Sequence, residues 1–72
     1  MPMTCIYLTE TEAELYDCDD ELGWRAAWPA IADRADAAMR SEGCGSCEIV
    51  HPDGFVIDAL SRIHCSAEVS DA

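Results

Sequence analysis

The chain has no lysine, and its only permanently cationic side chains are four arginines. Against them stand 15 carboxylates, for a net charge of −11 at neutral pH. So acidic a balance excludes direct binding to DNA or RNA, where affinity comes mainly from cations on phosphates, and it repels anionic membranes. Also missing is any apolar run near the roughly 20 residues that a membrane-spanning helix needs. The start, Met1-Pro2-Met3-Thr4-Cys5-Ile6, has neither the basic residues nor the apolar stretch of a secretory leader, so a cytoplasmic location is expected. Large apolar side chains are few: two Trp, two Tyr and one Phe, with alanine supplying much of the hydrophobic half.

What is present fits one small folded unit. A chain of 72 residues has room for a single domain, expected over residues 1–65, with a small polar tail at 66–72. A core of this size supplies only about 3–5 kcal/mol, so support from a metal, a disulfide or a second copy in a homodimer is expected. Five cysteines, an odd number, read in a cytoplasmic setting as thiols or metal ligands rather than as a disulfide framework.

Thr4 to Leu8 alternates as a strand does. The next stretch has two readings. Ala13 to Cys18 returns as a second strand in the favoured one; in the other, Thr9 and Glu12 form a capping box that opens a helical turn. From Trp24 to Glu42 the spacing predicts a helix. Trp24, Ala27, Trp28, Ile31, Ala35, Ala38 and Met39 form one apolar stripe, and Gly43 supplies the stop. Pro29 falls on the polar side, so the helix either kinks there or starts anew at Pro29. Glu48–His51 and Gly54–Leu60 read as strands joined by a type I turn at His51-Pro52-Asp53-Gly54. The expected fold class is therefore α+β, in the order β(β)αββ. It comprises an antiparallel sheet of three to four strands with one amphipathic helix across it.

The densest functional signal is acidic. Residues 10–21 hold Glu10, Glu12, Glu14, Asp17, Asp19, Asp20 and Glu21, with no cation among them. A charge run of this kind can simply be a solvated surface. It can also be a ligand for a basic groove. On a strand, Glu10, Glu12 and Glu14 would share one face at roughly 7 Å spacing, comparable to successive phosphates on a nucleic acid strand. The expected partner is accordingly a basic, nucleic-acid-binding protein, and these seven residues are the expected contact set.

Cys44-Gly45-Ser46-Cys47 is the second signal. Two thiolates on a tight turn suit zinc, with Cys18, His51, His64 or Cys65 as further ligands, but no second Cys-x-x-Cys completes the site. A redox role is disfavoured, because the motif follows a helix C-terminus, whose partial negative charge opposes thiolate formation. The remaining reading packs both cysteines as small hydrophobes. A zinc-stabilised interaction module using Cys44 and Cys47 is therefore the alternative to a metal-free acidic inhibitor. No nucleophile–histidine arrangement marks the chain as an enzyme. Trp24 and Trp28, one turn apart, suit the core or an interface anchor.

The acidic run Glu10–Glu21 and the strand–helix–hairpin layout ending in the Cys47–Leu60 hairpin resemble the small phage-encoded anti-CRISPR inhibitors. The resemblance spans the chain as architecture and rests on no sequence motif. It implies a mode of action without catalysis: binding to a CRISPR effector complex in the host bacterial cytoplasm, at the basic surface that recognises target DNA.

Overall fold

The computed structural model describes residues 2–61; the tail expected at 66–72, and His64 and Cys65, lie outside them. The first element, β1 (Met3–Tyr7), is followed by α1 (Glu10–Asp17) and α2 (Glu21–Glu42), then by β2 (Ser46–Val50) and β3 (Val56–Ser61). The α+β class stands, with two helices and a three-stranded mixed sheet among the described residues.

Residues 13–18 do not form the expected second strand. Thr9 caps a helix instead: its hydroxyl accepts the Glu12 N–H at 3.1 Å, and the Glu12 carboxylate accepts the Thr9 N–H at 3.0 Å. This reciprocal pair satisfies two amide donors that a helix start leaves open, which an isolated hairpin could not match. The helix ends in a Schellman arrangement, with Asp20 N–H bonded to Leu15 O and Asp19 N–H to Tyr16 O. Asp19 occupies its left-handed position at φ 55°, where glycine is the usual residue.

The second correction follows from the first. Two consecutive helices carry the chain back across the sheet, so β2 runs parallel to β1, with Thr4 opposite Cys47 and Ile6 opposite Ile49. Only β2 and β3 are antiparallel, with Cys47 opposite Leu60 and an irregularity between Ile49 and Val50. Their connection is the expected tight turn. His51 O accepts the Gly54 N–H at 2.8 Å, His51 N–H donates to Phe55 O at 2.8 Å, and Gly54 takes φ 102°.

α2 starts three residues earlier than the apolar stripe alone implies. Asp20 is its N-cap, accepting the Gly23 N–H at 2.9 Å, and the helix runs through exposed Pro29 as one element to Gly43 in the left-handed conformation. Ile31, Ala35 and Met39, spaced by four, are fully buried against Ile49, Cys47, Leu60 and Leu8. Trp24, Ala27 and Trp28 pack on the margin of this core. The other face of the sheet leaves Met3, Tyr7 and Val56 about half exposed. No described helix is long and apolar enough to cross a membrane.

Candidate functional site

The seven carboxylates of the acidic run fall on α1, on the turn after it and on the first residue of α2. Helical geometry separates residues that a strand would have aligned. Glu10, Glu14 and Asp17 share one stripe at i, i+4 and i+7, whereas Glu12 points the opposite way, into the protein. The expected row of Glu10, Glu12 and Glu14 on one strand face is thus not formed.

Glu12 is a structural residue. Its side chain is only 10% exposed and meets Arg34 of α2 in a two-pronged pair, Nη1 to Oε2 at 2.9 Å and Nη2 to Oε1 at 2.7 Å. Arg34 also donates to the Tyr7 carbonyl at 3.3 Å, so one guanidinium ties α1, α2 and the end of β1 together. The Arg34 hydrogen bonds hold the Glu12 carboxyl below its ordinary range, overcoming the opposing effect of burial, and Glu12 raises Arg34 in return.

Three more of the seven have partners within the chain. Asp17 accepts from His51 Nε2 at 2.9 Å. His51 is buried, stacked on Phe55 at 4.4 Å and edge-on to Tyr16. Its Nδ1 accepts the Asp53 N–H at 3.0 Å, which places the ring proton on Nε2. Both nitrogens are therefore committed to joining the end of α1 to the β2–β3 turn. Asp20 caps α2, and Glu21 meets Arg25 at 3.5 Å in a pair so exposed that it contributes little. Glu10, Glu14 and Asp19 remain: exposed, and with no side-chain hydrogen bond or ion pair among the described residues.

Beside them the helix junction opens a cleft of about 500 Å³, which sequence reasoning did not anticipate. Leu15, Tyr16 and Trp24 form its apolar lining, and Asp19, Asp20 and Glu21 its polar part. The Tyr16 and Trp24 rings lie 5.5 Å apart with planes inclined at 59°, and Trp28 stands 5.8 Å behind Trp24. Gly23 lets the helices close up here, since a Cβ at that position would lie 2.6 Å from Leu15 Cδ2 and 2.7 Å from Asp20 Oδ2.

Cys44 and Cys47 belong to the core cluster, at 5% and 0% exposure. Their thiols approach the carbonyls of Glu42 and Glu48 at 3.8 and 3.5 Å. Of the ligands considered with them, His51 is engaged by Asp17 and Asp53, and Cys18 is exposed at the end of α1. Among the described residues no group of three or more His, Cys, Asp or Glu is arranged to hold a metal ion. Comparison of the chain with protein-family models, curated proteins and solved structures found no match.

Proposed function

We propose that the protein is a non-catalytic inhibitor that binds the basic, nucleic-acid-binding surface of a partner and blocks its access to nucleic acid. A CRISPR effector complex, prevented from recognising target DNA, is the partner class that suits the reading best. The observation that supports it most is the exposed, unpaired charge of Glu10, Glu14 and Asp19, along and just after α1, in a chain with net charge −11. Glu10 and Glu14 repel each other along α1, and Asp19 adds a negative charge just beyond its C-terminus, where a helix favours cations. Both features cost stability in a domain with little to spare, and a basic partner converts that cost into attraction and fast, steered association. The contact set narrows accordingly: Glu10, Glu14, Asp19 and the exposed Glu21 face the partner, while Glu12, Asp17 and Asp20 hold the surface in shape.

Affinity capture with tagged protein from a lysate of CRISPR-bearing bacteria, washed at low and high salt, tests the reading. The expected result is a CRISPR effector or other nucleic-acid-binding complex that is retained at low salt, released at high salt and displaced by its own nucleic acid. A retained partner that has no basic surface, or that binds equally well at high salt and in the presence of nucleic acid, contradicts it.

A further inference from the structure

We propose that the cleft between α1 and α2 is a receptor for an arginine side chain of the partner, an inference that rests on the basic-partner reading above. The cleft is more than a group of acids. Its walls are the inclined rings of Tyr16 and Trp24 with Leu15 between the helices, an apolar surface that a solvated charge cluster has no need to build. Its volume of about 500 Å³ lies within the range of sites that take small ligands. The charged side chains of its lining are all carboxylates, those of Asp19, Asp20 and Glu21, so the complementary occupant is a cation with an apolar or planar body.

Arginine meets both demands. Its guanidinium lies flat on an indole or phenol face and is weakly hydrated, so it enters an aromatic cleft at lower cost than a lysine ammonium. The same plane offers paired N–H donors to a carboxylate at its edge. Asp19 is available for that contact, because its side chain has no bond among the described residues, and Asp20 keeps Oδ2 available while Oδ1 caps Gly23. Glu21 needs only to leave Arg25, a pair at 3.5 Å between side chains 76% and 83% exposed. Asp20 and Gly23 therefore shape the cleft, and Tyr16, Trp24, Asp19 and Glu21 are its recognition residues.

The test titrates isotope-labelled full chain with a blocked Gly-Arg-Gly peptide and with matched lysine and citrulline peptides, following the Trp24 indole N–H and the backbone amides. The arginine peptide is expected to shift Trp24 and residues 19–21. The lysine peptide is expected to bind roughly fivefold more weakly, and the citrulline peptide not measurably. Trp24→Leu and the double variant Asp19→Asn/Glu21→Gln should each weaken arginine binding roughly fivefold or more; should the leucine variant not fold, the double variant decides. Equal affinity for arginine and lysine, shifts confined to Glu10 and Glu14, or full affinity in the double variant overturns the proposal. Partner capture separates the two claims. A nucleic-acid-binding complex retained equally by wild type and the double variant removes the cleft from the interface and leaves the acidic-inhibitor reading standing. Arginine binding in the cleft with no such complex retained does the reverse.

Discussion

Replacing Glu12 removes a helix cap and an ion pair together. Glu12→Ala is expected to cost about 2–3 kcal/mol in urea unfolding, less than a fully buried pair because the Arg34 side chain is 36% exposed. Because its carboxyl is held low in the folded protein, this stabilisation is fully present above the unfolded carboxyl's ordinary range and is lost as pH falls through the lower folded value. The stability gap between wild type and Glu12→Gln should therefore narrow on acidification. A gap that stays constant from neutral to strongly acidic pH would show that the Arg34 pair contributes nothing to it. Asp19 points the other way. It holds a left-handed conformation at φ 55° and places a negative charge at a helix C-terminus. Asp19→Gly should stabilise the fold by about 1 kcal/mol while weakening partner binding. Reduced stability in that variant would mean that the Asp19 side chain supports the fold.

Between elements, the contacts that matter join residues far apart in the chain. His51 directly follows β2 and reaches the last residue of α1, with both ring nitrogens and one ring face in use. His51→Ala is expected to cost about 2–3 kcal/mol and to loosen the end of α1, seen as faster amide exchange at Asp17 to Asp20. Unchanged exchange there would rule out the tie. These long-range pairs explain what could be read in advance. The stripe Ile31–Ala35–Met39 and the turn at Pro52-Asp53-Gly54 are local patterns, and both α2 and the hairpin were legible from them. Residues 10–17 were not, because Glu10, Glu12 and Glu14 alternate in a window too short to separate a period of 2 from one of 3.6. The deciding signal was present in Thr9 and Glu12, but its weight comes from Arg34, 22 residues on. Taking residues 13–18 as a strand also hid the parallel pairing of β1 with β2, since a hairpin partner reverses the chain whereas a long crossover, here the two helices, returns it in the same direction. The cleft was illegible for the same reason: Tyr16 and Trp24 meet only once both segments are helices.

Across the whole molecule, a charge of −11 on a radius of gyration of 12.2 Å makes self-repulsion a general load on the fold. Added sodium chloride should raise the thermal midpoint by several degrees through screening, the opposite of what a fold held mainly by ion pairs would show. A midpoint that falls with salt would contradict this balance. The same field that burdens the free protein favours it in a basic complex, so stability and binding should respond to salt with opposite signs. The most direct measurement is the affinity of Glu10→Lys/Glu14→Lys/Asp19→Asn for the captured nucleic-acid-binding complex, beside its thermal midpoint. The account predicts a fold within about 1 kcal/mol of wild type, because none of the three side chains is bonded within the described residues and relief of self-repulsion offsets the loss of Glu10 from the first turn of α1, and an affinity lower by about tenfold or more. Wild-type affinity in that variant would contradict the acidic surface as the binding site.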